Sequence, residues 1–202
     1  MFKTLFLSVL LIPVIGCHKF CTPNAYSFEG GTSYVYPEND SVRVGDTILI
    51  KSSTPVILTH TVNPSSNPQS YDISGATNLL TDILLTTPIG INKQNGAVDS
   101  FLFFQVKGGL KSNPLDSSTA KTISYELNDN QYINEFGIIA QEKGVYFLYV
   151  SGIGGMKNCD KFSISIVNTN QDNHLHYLKD TYYGGAPVPS LDSVNGYFFK
   201  VY

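Results

Sequence analysis

The 202-residue chain has no tryptophan, and its 13 lysines and arginines are outnumbered by 16 aspartates and glutamates, giving a net charge of −3. No stripe of Lys and Arg gathers along it, so no phosphate-binding face, and no nucleic acid partner, is expected. Charged residues make up only 14% of the chain against 42% apolar ones, which is not the charged, apolar-poor composition that stays disordered. Three cysteines are present, none in a Cys-x-x-Cys pair, which argues against a dithiol redox centre. No Gly-x-Ser-x-Gly nucleophile elbow occurs. The pairs Gly30-Gly31, Gly108-Gly109, Gly154-Gly155 and Gly184-Gly185 lack the lysine and the following helix of a phosphate cradle, and they read as turns. Asn128-Asp129-Asn130 lacks the rest of a calcium loop and reads as a hairpin turn. No catalytic residue, metal or cofactor is expected.

What is present begins with an apolar run from Leu5 to Gly16 behind the lone charge of Lys3. It falls short of the roughly 20 residues of a membrane-spanning helix but suits the apolar region of a secretory signal. Val14-Ile15-Gly16-Cys17 resembles a bacterial lipobox. The resemblance implies that residues 1–16 are a signal peptide, that Cys17 becomes the acylated N-terminus, and that the protein is held on a membrane by lipid. Several acyl chains on one residue give lasting attachment where one does not. No Asp follows Cys17, which on the same resemblance favours the outer membrane. The acidic cluster of a surface-export signal is missing too, which favours its periplasmic leaflet. In that oxidising compartment Cys21 and Cys159 are read either as a disulfide staple or as two unpaired thiols.

Residues 17–33 carry Pro, Gly and small polar residues without a period and read as a tether. From Tyr34 onward short alternating runs separated by turn residues begin. Val42, Val44, Ile48 and Ile50 recur at even spacing, with Gly45-Asp46 marking a bulge or kink. In Lys161 to Val167, Phe162, Ile164 and Ile166 are expected inward and Lys161, Ser163 and Ser165 outward. Gly144 to Val150 is apolar on both faces, as a covered central strand would be. The 13 Tyr and 12 Phe lie mainly in these alternating segments and are read as core more than as a ligand-stacking platform. Residues 34–170 are therefore expected to form an antiparallel β-sandwich. In 171–202, Asp172 or Asn173 is expected to cap a short helix bearing Leu175 and Leu178, followed by a last strand at Tyr197 to Tyr202.

Val44-Gly45-Asp46-Thr47-Ile48 and Gln141-Glu142-Lys143-Gly144-Val145-Tyr146 resemble strand segments of bacterial immunoglobulin-like modules. That family implies a tyrosine corner at Tyr146. With the lipobox, the whole resembles small envelope lipoproteins of the Bacteroidetes. Asp40-Ser41-Val42, Asp46-Thr47-Ile48 and Asp192-Ser193-Val194 resemble an O-glycosylation acceptor of such proteins, which would place sugars on Ser41, Thr47 and Ser193. His174 and His176, on a helix, would diverge by about 200° and form no ligand pair.

The expected function is a non-enzymatic, lipid-anchored binding or accessory module with an envelope protein or glycan as ligand. Two alternatives stand beside it. One is a glycan hydrolase using a carboxylate pair. The other is a structural subunit assembled by strand addition through Tyr197 to Tyr202.

Overall fold

The computed structural model describes residues 22–60, 69–90, 93–111, 117–178 and 195–202, with only the backbone described at 60, 88–90 and 93–94. The signal segment, Cys17, Cys21, Ser193 and the turn at Gly184-Gly185 lie outside the described residues.

The chain is all-β, and no helix among the described residues reaches seven residues. Its strands are β1 (Ala25–Tyr36), β2 (Ser41–Val42), β3 (Thr47–Pro55), β4 (Ile57–His60), β5 (Gln69–Asp72), β6 (Thr77–Gly90), β7 (Lys93–Gly96), β8 (Phe101–Lys107), β9 (Gly109–Leu110), β10 (Ala120–Ser124), β11 (Glu126–Asn128), β12 (Gln131–Ala140), β13 (Gly144–Val150), β14 (Ile153–Lys157), β15 (Asp160–Asn168) and β16 (Tyr197–Val201). Fourteen of them form one mixed sheet in the order β11-β12-β3-β1-β15-β14-β6-β13-β16-β2, with β8 on β12, β7 and β10 on β6, and β9 on β10. β4 and β5 form a separate hairpin.

This sheet cannot be flat. β8 and β13 are separated in the strand order by several spacings of about 4.8 Å. Yet the rings of Phe101 on β8 and Tyr146 on β13 lie 4.7 Å apart, edge to face, and Phe199 on β16 is 5.9 Å from Phe101. The sheet therefore folds over and encloses one core with its buried face. The corner lies at Ser151-Gly152, where β13 runs into β14 along the same edge of β6. There Thr81 donates to the Ser151 carbonyl at 2.7 Å, and the Ser151 hydroxyl accepts from the Asp82 amide at 3.0 Å.

Alternation decides which residues fill the core. In β15 Phe162, Ile164 and Ile166 are buried while Lys161, Ser163 and Ser165 are exposed, as the sequence leads one to expect. Asp129-Asn130 is the turn of the β11–β12 hairpin, with Asp129 at positive φ. β13 buries Tyr146, Leu148 and Val150, whereas Val145, Phe147 and Tyr149 stay half-buried.

Several expectations are corrected. Residues 25–33 are no tether but most of β1, paired in parallel with β15 and antiparallel with β3. Glu29 and Gly30 form a bulge within it, and Gly31 resumes the pairing opposite Ile166. Likewise Gly154-Gly155 lies inside β14, not in a turn. Val44-Gly45-Asp46 is a turn, closed by Arg43 N–H donating to Asp46 Oδ2 at 2.8 Å, and it separates β2 from β3. Of the expected C-terminal helix only His176–Leu178 (α1) is helical among the described residues. Tyr197–Val201 is paired on both sides, antiparallel with β13 and parallel with β2, and is nearly all buried. Among the described residues β13 covers one side of it along its length and β2 covers the other at Lys200 and Val201.

Candidate functional site

The aromatic residues divide between two faces. Most enter the core, but Tyr36 is 59% exposed, Tyr34 37% and Phe104 37%, beside Leu102 at 57% and Val106 at 48%. Sheet register brings these together from strands distant in sequence. Phe104 pairs with Gly137, Gly137 with Leu49, and Leu49 with Tyr36, forming one row across β8, β12, β3 and β1. On one side the row Leu102, Ile139, Thr47 runs parallel to it. On the other, Lys107, Glu135, Lys51 and Tyr34 alternate in charge before ending on a ring. An apolar strip with a charged border on a sheet's outer face is the composition of a contact surface, since scattered apolar residues need no explanation but contiguous ones do.

Local sequence explains how the strip is built. Period-2 alternation sends Ile48, Ile50, Phe136 and Ile138 inward and leaves Leu49, Gly137 and Ile139 outward. A Cβ at Gly137 would collide with the Phe104 ring, so the glycine lets that ring lie on the sheet. A bulge between Glu135 and Phe136 adds Val106 to the exposed side of β8.

A second cluster gathers titratable groups where the segment before β2 meets the one after β15. Tyr197 donates to the Asn39 carbonyl at 3.0 Å, and His174 Nδ1–H donates to the Phe198 carbonyl at 2.8 Å. Glu38 accepts from the Asp172 amide at 2.9 Å, and Asp172 from the His174 amide at 2.7 Å. His176 Nε2 stands 3.1 Å from Asp40 Oδ1 on the surface. Burial, and then the carboxylates of Glu38, Asp172 and Asp40, hold the Tyr197 hydroxyl above the ordinary tyrosine range. Apart from the His176–Asp40 pair, each of these side chains fastens backbone, which makes the cluster a clasp with no nucleophile set against a base. The expectation for His174 and His176 is corrected here. His174 sits at positive φ before the helix, and the two rings approach to 6.2 Å instead of diverging. No group of three His, Cys, Asp or Glu among the described residues could hold a metal ion.

The other sequence candidates scatter. Thr47 is exposed at the start of β3, at the end of the apolar strip. Ser41 is half-buried in β2, opposite Lys200. Cys159 is disulfide-bonded at the β14–β15 turn, and Cys17 and Cys21 lie outside the described residues. Ser118-Thr119-Ala120-Lys121 has the Ser-x-x-Lys spacing of penicillin-recognising enzymes, but it lies on a bend entering β10 and not on a helix. At Tyr146 the hydroxyl donates to the Glu142 carbonyl at 3.0 Å, and burial raises its pKa. The outer strip is what sequence reading missed. Its signal was Tyr34 and Tyr36 two apart on one strand face.

No protein-family model matches the chain, and no curated protein sequence does. Among solved structures it is similar to the crystal structure of the human F-spondin reeler domain (fragment 1), at 9% identity and a TM-score of 0.36, over 76% of this chain and 94% of that one. A likeness at that level transfers nothing to this chain.

Proposed function

We propose that this chain is a lipid-anchored envelope lipoprotein of Bacteroidetes type, acting as a non-enzymatic binding or accessory module through the outer face of β8, β12, β3 and β1. The observation that carries the reading is the row Phe104, Leu49, Tyr36 with its charged border, a contiguous apolar strip on an exposed sheet face. The lipobox at Val14 to Cys17 supports lipid anchoring, His18 in place of an Asp after Cys17 favours the outer membrane, and the lack of an acidic cluster behind it favours the periplasmic leaflet. An immunoglobulin-like sandwich is supported by the enclosed core and by the Tyr146–Glu142 hydrogen bond, the contact a tyrosine corner makes. Pairing of Cys21 with Cys159 is supported by Asn24, whose amide and side chain both donate to Asp160 and so bring the chain three residues past Cys21 beside Cys159.

The test uses the full chain against panels of envelope glycans and peptides, with Tyr36→Ala and Phe104→Ala alongside. Binding that weakens at least about tenfold in both variants, without turnover, is expected; truncating an aromatic anchor costs more than 1 kcal/mol where it matters. Turnover of a glycan would overturn the reading in favour of a hydrolase. Separately, Cys17→Ser should shift the protein from the membrane to the soluble fraction, and an intact leader found by mass spectrometry would refute the anchor.

A further inference from the structure

Cys159 is disulfide-bonded, and Cys17 and Cys21 are the other cysteines of the chain. A sulfur that carries lipid has no thiol to share, so on the anchor reading the bridge runs from Cys21. Only His18, Lys19 and Phe20 then stand between the acylated residue and the bridge, a span of at most about 14 Å at full extension. A second clamp lies just beyond. Asn24 donates to Asp160 from both its amide and its side chain, and its carbonyl accepts from the Lys161 amide at 2.9 Å.

We infer that this short leash seats the β14–β15 end of the body on the bilayer and presents the aromatic strip at the opposite end, away from lipid. The strands set the separation. β1 starts opposite Lys161, two residues past Cys159, and runs out to Tyr36, about 35 Å away at a rise of roughly 3.3 Å per residue. Charge decides against the body lying down on its strip, because a headgroup layer with anionic lipid attracts cations and repels carboxylates. Around the clamp Lys157, Lys161 and the leash's Lys19 offset Asp72, Asp129 and Asp160, and Ile57 and Met156 are exposed there. At the far end, where Asp46 meets Ala140, Ser100 meets Glu142 and Glu38 meets Asp172, the carboxylates of Glu38, Asp40, Asp46, Asp99, Glu142 and Asp172 outnumber the cations of Arg43, Lys143 and Lys200. The strip borders that acidic end, so pressing it onto the bilayer would press the carboxylates there too. The inference rests on the lipid-anchor reading and adds to it the face that meets the membrane.

The chain has no tryptophan, so a single introduced one reports its own position. The acylated full chain is placed in vesicles of phosphatidylethanolamine and phosphatidylglycerol bearing a dansyl headgroup label, and energy transfer from Met156→Trp is compared with transfer from Tyr36→Trp. Transfer about threefold or more stronger from Met156→Trp is expected, since the two positions differ in height by most of the length of β1. Inserting about ten Gly and Ser residues after Lys19 keeps the bridge but lengthens the leash, and should lower transfer from Met156→Trp about twofold or more. Cys21→Ser/Cys159→Ser, which frees the chain back to Asn24, should act in the same direction. Equal transfer from the two positions, stronger transfer from Tyr36→Trp, or a Met156→Trp signal indifferent to the insertion would each overturn the inference while leaving the anchor in place. A chain whose Cys17 carries no lipid would overturn the anchor reading, and this orientation with it.

Discussion

Phe104 lies flat over Gly137, on the neighbouring strand, and the ring occupies the space a Cβ at position 137 would need. The pair ties the exposed edge strand to the sheet's middle and fixes the end of the apolar row. Gly137→Ala should swing the ring into water, because its far end is free to move while the backbone is not. A loss of about 1 kcal/mol in urea unfolding is expected, the worth of a cross-strand pair. Phe104→Ala should cost a similar amount, and the two changes together less than their sum. Strict additivity in that double-mutant cycle would show that ring and glycine are not coupled.

Tyr146 joins the core to the loop before its strand. Its ring stacks 5.7 Å from Phe199 and meets Phe101 edge-on, while its hydroxyl holds the Glu142 carbonyl. The adjoining Glu142 carboxylate in turn accepts from Ser100 at 2.9 Å. Tyr146→Phe keeps the ring and removes one hydrogen bond, so a loss of roughly 0.5–1.5 kcal/mol is expected by denaturant titration. Tyr146→Ala should cost about 3–5 kcal/mol by opening a cavity among the three rings. An unchanged midpoint for Tyr146→Phe would mean the Glu142 carbonyl is satisfied without it.

The two halves of this architecture were not equally legible in the sequence. β15 could be read directly because nothing interrupts its alternation from Lys161 to Val167. β1 could not, since its inward residues are Phe28, then Gly31, Ser33 and Val35, and the bulge at Gly30, with φ of +116°, shifts the phase by one residue. An alternation that slips at a glycine pair looks like a turn. Gly45-Asp46 misleads in the opposite sense. Val42 and Ile48 keep even spacing across a real reversal, so a turn looks like a kinked strand. The outer strip was hidden for a different reason. Leu49, Gly137 and Phe104 become neighbours only through register between strands far apart in the chain, and a Tyr on a strand looks the same in sequence whether it points in or out.

Stability should fall in alkali through two tyrosines. Burial raises the pKa of both Tyr125 and Tyr197 above the ordinary value near 10; the Ser52 hydroxyl, 2.8 Å from Tyr125, opposes the shift only in part. A group whose folded pKa is raised contributes stability that is fully present below the unfolded pKa and is lost as pH rises towards the folded one. The unfolded chain therefore ionises first, and above about pH 10 each tyrosine should lower stability by about 1.4 kcal/mol per pH unit. Urea midpoints measured from pH 8 to beyond pH 10 check this. Tyr125→Phe should remove its own share of the alkaline slope, about 1.4 kcal/mol per pH unit, while leaving the contributions of the other raised tyrosines and the strip's binding unaffected. A slope unchanged by that substitution would place the alkaline sensitivity elsewhere.

The core carries a polar floor that invites substitution. On β3 the inward residues pass from Ile48 and Ile50 to Ser52 and Thr54, and opposite them stand Asn134 and Tyr132. Ser52 meets the Tyr125 hydroxyl, Asn134 Nδ2 donates to the Ser124 carbonyl at 2.7 Å, and the Tyr132 hydroxyl donates to the Ile73 carbonyl at 3.1 Å. Among the described residues no group reaches Thr54 Oγ1, although the side chain is buried. Burying an unpartnered hydroxyl costs roughly 1–3 kcal/mol, and Val has nearly the shape of Thr and an equal liking for strands. Thr54→Val should therefore be neutral or stabilise by about 1 kcal/mol, in contrast to Ser52→Ala, which leaves the Tyr125 hydroxyl unpaired and should destabilise by a similar amount. If Thr54→Val instead destabilises the protein as much as Ser52→Ala, the Thr54 hydroxyl is held by an internal water, because only a satisfied polar group is missed when it is removed.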